Sequence, residues 1–207
     1  VTSLRAVLST RPGRWDLSAD ASAPGLSADL SASGASGMDL MPSTFSGRLS
    51  LAVEDASTIP LLALPESLSI MDASCDVAFS GNRSSVLAEF DAGVGGISMG
   101  TGLAAAGLTT VGTVSWSGSP RGSAEIRIDS LRTPLDTFQV GASLEFGDGE
   151  YSLTDLQAVS PEGMSVSAEA VYREGDPALL LVDGLRVGSS KQRLVQDGGM
   201  ICIFDSS

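Results

Sequence analysis

Three carboxylates, Glu145, Asp148 and Glu150, fall within EFGDGEY around a Gly147-Asp148-Gly149 turn. Paired carboxylates can cleave a glycoside, or share a proton as an aspartic dyad, when their surroundings push their ionisations apart. These sit at the tip of an expected hairpin, where charged side chains face water, and no catalysis is assigned to them. The overlapping GDGEYSLTD offers Asp148, Glu150 and Asp155 to a cation. It lacks the alternating oxygens and bidentate Glu of an EF-hand loop. Histidine is absent, which removes histidine general bases and Ser-His-Asp or Cys-His nucleophiles. Neither a GxGxxG ahead of a helix nor a GxxxxGK[ST] cradle occurs. The expectation is therefore a protein that is not an enzyme, with no catalytic residue, no metal site and no cofactor.

Cys75 and Cys202 lie far apart and form no CxxC or Cys/His cluster, so a zinc or redox ligand set is missing. Both sit in alternating runs, ASCDVAFS and MICIF, as buried free thiols or, in an oxidising compartment, as a disulfide. Twenty-five Asp and Glu against 12 Lys and Arg leave a net charge of −13. Nucleic-acid phosphate and anionic lipid headgroups are repelled by such a surface, so no nucleic-acid partner is expected. The chain opens VTSLRAVLST, with no initiator Met and no basic start followed by an apolar run, and is read as an internal excerpt of a longer protein.

Period-two alternation recurs almost throughout and positions everything else. It places Trp15, Leu17 and Ala19 on one face, then Leu26, Ala28 and Leu30 after a Pro24-Gly25 turn. Leu49, Leu51 and Val53 follow, then Ala73, Cys75, Val77 and Phe79, then Val86, Ala88 and Phe90. Ala124, Ile126 and Ile128 share a parity, as do Phe138, Val140, Ala142, Leu144 and Phe146. In the last clear repeat Met164, Val166, Ala168, Ala170 and Tyr172 alternate with Ser165, Ser167, Glu169, Val171 and Arg173. Turn residues punctuate these runs at 147–149, 161–163, 174–177 and 197–199, spacing that makes consecutive strands antiparallel neighbours.

The uncharged, glycine-rich stretch 92–120 reads as a pair of strands rather than a membrane helix. Only EDASTIPLLALPESLSI, residues 54–70, breaks the pattern; Ser57 or Thr58 could cap a brief helix near Pro60. Residues 13–34 and 149–175 share one hairpin plan: Gly, aromatic, alternation, Pro turn, alternation, Gly. The fold class expected is all-β, an elongated antiparallel meander of repeated hairpins with at most one short helix near 58–68. Residues 1–207 form one continuous β-repeat region: first hairpins over 1–53, a crossing segment over 54–70, and further hairpins over 71–207.

The run GRLSLAVEDASTIPLLALPESLSIMDASCDVAFSGNRSSVLAEFDAG resembles the repeating unit of AsmA-like proteins, the Gram-negative envelope group that includes TamB and YhdP. GTVSWSGSPRGSAEIRIDSL, GASLEFGDGEYSLTDLQAVSPEGMSVSAEAVYREG and LLLVDGLRVGSSKQRLVQDGG are similar to later strands of such proteins, so the likeness covers about 35–204. The resemblance implies a curved, groove-like sheet in the periplasm, tethered by an inner-membrane anchor outside this segment. It also implies phospholipid acyl chains as ligand and other envelope proteins as partners. The residues it would set along the groove are Leu49, Leu51, Val53, Val77, Phe79, Val140, Ala142, Leu144, Met164, Val166, Ala168 and Ala170. A second reading stays open at this point, a secreted β-solenoid or β-sandwich adhesin whose apolar face is packed core.

Overall fold

The structure, a computed structural model, describes residues 2–36, 42–58, 65, 67–100, 102–175, 178–189, 192–196 and 198–204. Among these residues fourteen strands follow one another. They are β1 (Ser3–Arg11), β2 (Arg14–Ala23), β3 (Leu26–Ser36), β4 (Pro42–Asp55), β5 (Leu68–Asn82), β6 (Val86–Met99) and β7 (Leu103–Trp116). Then come β8 (Pro120–Arg132), β9 (Thr137–Gly147), β10 (Glu150–Val159), β11 (Ser165–Arg173), β12 (Ala178–Gly188), β13 (Arg193–Val195) and β14 (Met200–Phe204). Strands β1 to β13 pair in sequence order, and β14 also pairs with β12. Every pairing is antiparallel, and the sheet is a single open meander, not closed into a barrel.

Short connections produce this order, because tight turns return the chain beside the strand it has just left. The β2–β3 turn is Pro24-Gly25, with Gly25 at φ 71°. The β9–β10 turn is Asp148-Gly149, with φ 53° and 77°, the two left-handed residues whose twist suits a two-residue hairpin. Between β5 and β6 the Asn82 Oδ1 accepts the backbone N–H groups of Ser84 (2.9 Å) and Ser85 (3.1 Å). Both hairpins of the sequence repeat form, β2–β3 and β10–β11.

Segment 54–70 is not a crossover. Strands β4 and β5 are hydrogen-bonded neighbours from Thr44↔Asn82 to Asp55↔Met71, so the segment joins two adjacent strands. A single turn of 3-10 helix, Ala56–Thr58, opens it; the rest of the brief helix expected near 58–68 lies outside the described residues, apart from Pro65, Ser67 and the start of β5 at Leu68. Asp55 anchors this turn, its Oδ1 accepting the Ser57 N–H (2.9 Å) and Oγ–H (2.6 Å). Those two bonds hold the Asp55 carboxyl below its ordinary range. The uncharged stretch around 92–120 is the end of β6 and the whole of β7, and no helix among the described residues is long and apolar enough to cross a membrane.

Among the described residues no second layer packs on the sheet. Among the described residues the buried apolar side chains are only Val53, Ala56, Ala124, Phe138 and Ala168. The accessible surface is 13680 Å², against about 9,000 Å² for a compact protein of this mass. Stability rests on cross-strand pairs and ladder hydrogen bonds rather than on an enclosed core.

Candidate functional site

Register, not loops, builds the site. Following the cross-strand partners gives unbroken apolar rows across the sheet. One row runs Ala19–Leu30–Leu49–Val77–Phe90–Gly112–Ala124–Leu144–Leu153–Ala170–Val182–Met200, from β2 to β14. A parallel row runs Leu26–Val53–Ala73–Val94–Leu108–Ile128–Val140–Ala158–Val166–Val187–Leu194. Leu51, Cys75, Ala92, Thr110, Ile126 and Ala142 lie between them.

Eleven residues predicted for the groove therefore share one face: Leu49, Leu51, Val53, Val77, Phe79, Val140, Ala142, Leu144, Val166, Ala168 and Ala170. Met164 does not stand on a strand. It precedes β11 in the turn after β10, its N–H donating to Ser160 Oγ (3.2 Å) and its carbonyl accepting the Ser160 N–H (2.8 Å). Cys75 and Cys202 are free and half-buried, on strands at opposite halves of the sheet.

The apolar face holds its direction through a crease. On β5 the apolar residues are odd-numbered from Phe79 to Ala73 and even-numbered at Ile70 and Leu68; between them Asp72 adopts φ 52°. On β7 the switch falls at Gly107 (φ 64°), on β10 at Asp155 (φ 52°) and on β12 at Gly184 (φ 60°). A register shift between Ile128 and Leu131 on β8 adds to the line, while β11 keeps its parity between the bulges of β10 and β12. A bulge inserts a residue, bends its strand and resets which side the next side chain takes. Beyond the crease the row Ile70–Ile97–Ala105–Leu131–Phe138 continues the apolar series.

Rings pack against glycines across this face. A Cβ built at Gly34 would meet the Trp15 ring at 2.8 Å, at Gly112 the Phe90 ring at 2.6 Å, and at Gly122 the Phe146 ring at 2.7 Å. Phe79 covers Gly47, and Phe45 covers Gly81, in the same way. Each glycine lets a ring cover the neighbouring strand, a known device for rescuing glycine in a sheet. The Trp15 Nε1–H is buried with no hydrogen-bond partner.

The opposite face is polar and acidic. Asp20 faces Asp29 directly, Asp76 faces Asp91, and Glu169 faces Asp183. Its depressions are shallow gaps where serines sit between longer side chains; one of about 690 Å³ has Ser31, Ser33, Ser46 and Ser80 between Asp16, Arg48 and Glu89. Among the described residues no three His, Cys, Asp or Glu side chains gather as metal ligands. The carboxylates at the β9–β10 tip are held in surface pairs: Arg121 with Asp148, and Arg173 with Glu150 at 2.7 Å.

Chemically, then, this face can hold an apolar ligand by area but offers no aligned donors to dictate its identity. Sequence reading found the parity on most strands. It missed the crease and the ring-over-glycine contacts, whose signal was an Asp or Gly standing wherever the apolar parity changes. Compared with family models, curated proteins and solved structures, the chain matches none.

Proposed function

We propose that this chain is a segment of an AsmA-like, periplasm-spanning protein of lipid transport or envelope biogenesis, whose apolar β-face shields phospholipid acyl chains. One observation carries the reading: an apolar surface continuous over a dozen strands with no protein layer upon it among the described residues. Each methylene laid on such a surface gains roughly 0.8 kcal/mol, so acyl chains suffice as cover and no hydrogen-bonding code is needed. Eight residues of strand span about 26 Å, room for much of one acyl chain. The small residues Ala142, Ala168 and Ala170 leave depth between larger neighbours. On this reading the segment works in the periplasm, tethered through an inner-membrane anchor outside residues 1–207, beside other envelope proteins. A packed-core adhesin, the second reading, would place a further layer on the same face; among the described residues none lies there.

The test is site-specific photocrosslinking in the full-length chain, with the crosslinker at Val166 and then at Ser167, scored by radiolabelled phospholipid on the protein. Adducts at Val166 but not Ser167 are expected. Adducts at neither position, with the protein well expressed, would sink the proposal.

A further inference from the structure

The apolar face is not uniform along its strands. Of two Trp, two Tyr and six Phe residues, Trp15, Phe45 and Trp116 fall in the outermost row at one end. That row runs Trp15–Gly34–Phe45–Gly81–Val86–Trp116–Pro120. Phe79, Phe146, Tyr151 and Tyr172 fall in the row beside it, which continues Leu17–Ala32–Gly47–Phe79–Ala88–Val114–Gly122–Phe146–Tyr151–Tyr172.

The hairpin tips just beyond these rows carry charge of both signs. Arg121 pairs with Asp148, Arg173 with Glu150, and the Tyr151 hydroxyl donates to Glu174 at 2.8 Å. The other end of the strands also carries charge, at Glu54, Asp55, Arg132 and Asp136, but none of the chain's Trp or Tyr residues. There the row Leu26–Val53–Ala73–Val94–Leu108–Ile128–Val140 is aliphatic throughout. Near that end Met71, Met99, Leu103 and Leu135 stand exposed.

Trp and Tyr are amphipathic, with an apolar body and one polar handle, and they settle where an apolar phase meets a wet one. Both Trp and both Tyr residues on one side, against aliphatics and the buried Phe138 on the other, therefore mark a polarity axis along the strands. We infer that the amphiphile on this face lies along the strands rather than across them. Its polar headgroup is held beside the hairpin tips at Gly13, 83–85, 117–119 and 148–149, and its chain ends point toward Pro24-Gly25 and 133–136. Because these tips carry charge of both signs and the chain is strongly acidic, the headgroup that fits is zwitterionic rather than anionic. This inference rests on the acyl-chain reading proposed above.

Both native tryptophans, Trp15 and Trp116, stand in the aromatic row and serve as the probes. The experiment is fluorescence quenching with two phosphatidylcholines, one brominated near the carboxyl end of the acyl chain and the other near its methyl end. Wild-type emission is expected to be quenched several-fold more strongly by the carboxyl-end bromines. A variant carrying Trp15→Phe, Trp116→Phe and Leu26→Trp reports from the opposite end and should show the reverse order. Equal quenching by both lipids in the wild type overturns the orientation and leaves the acyl-chain reading standing. No quenching by either lipid removes both.

Discussion

Tyr151 shows how a single side chain here is tuned by its neighbour rather than by burial. Its hydroxyl donates to the Glu174 carboxylate at 2.8 Å, and that bond, together with the carboxylate's charge, raises the phenol above its ordinary value of 10.0. A raised group contributes stability that is complete below the unfolded value and is lost as pH rises through the folded one. In a Tyr172→Phe background the phenolate absorbance of Tyr151 should therefore appear later in an alkaline titration than that of free tyrosine. Adding Glu174→Gln should bring it back, and an unshifted titration in the parent would contradict the contact.

The glycines beneath the rings make an equally local prediction. A Cβ at Gly112 would meet the Phe90 ring at 2.6 Å and the Ala124 Cα at 2.9 Å. Gly112→Ala should cost about 1–3 kcal/mol in urea unfolding, the range for forcing extra volume into a packed site. Gly141 has nothing within 4 Å of an added Cβ, and Gly141→Ala should leave stability close to wild type. Gly112 reads in the sequence only as a weak spot in TTVGTVSW, because the ring that needs it stands on the neighbouring strand.

At the scale of strands and hairpins, alternation and turn chemistry made most of the sheet legible. Pro24-Gly25 and Asp148-Gly149 announce their hairpins, and the faces of β2, β3, β4 and β9 follow from parity alone. Segment 54–70 was harder to read, because its prolines and leucines interrupt the period without revealing that β4 and β5 still pair. The crease was illegible for a related reason. A bulge shows in sequence only as a slipped parity, and LSIMDASC reads as noise until Asp72 is seen at φ 52°.

Pairing also exposes a cost that sequence spacing hides. Asp20 on β2 stands directly opposite Asp29 on β3, and like charges so placed repel across the strand gap. Asp29→Asn should raise stability by a few tenths to about 1 kcal/mol at low salt, with the gain shrinking as salt screens the pair. Thermal melts of both proteins at two ionic strengths check this; a gain that does not respond to salt would point away from charge repulsion.

As a whole the molecule inverts the usual economy of a folded domain. Its 13680 Å² of accessible surface exceeds the roughly 9,000 Å² of a compact chain of equal mass, and the excess belongs to a sheet whose two faces bear no second layer among the described residues. One face is acidic and content in water. The other carries Leu, Val, Ile and Phe in rows that continue from strand to strand, and this is where the physical argument for a lipid ligand lies. The candidate groove residues were legible because strand parity names a face. Whether that face is core or open surface was not, since alternation is the same in both; among the described residues no second layer lies on it.

The most direct measurement is the lipid content of the protein purified from a Gram-negative host without lipid-extracting detergent, set beside a variant carrying Leu49→Asp, Val77→Asp and Leu144→Asp. Circular dichroism confirms the sheet in both, and Ser31→Asp, Thr109→Asp and Ser167→Asp on the polar face, each opposite an arginine, supply the control. The account predicts phospholipid extracted from the wild type and the control, in amounts that saturate with protein, and its loss from the apolar-face variant. A wild-type protein that is monomeric, folded and free of lipid would contradict it.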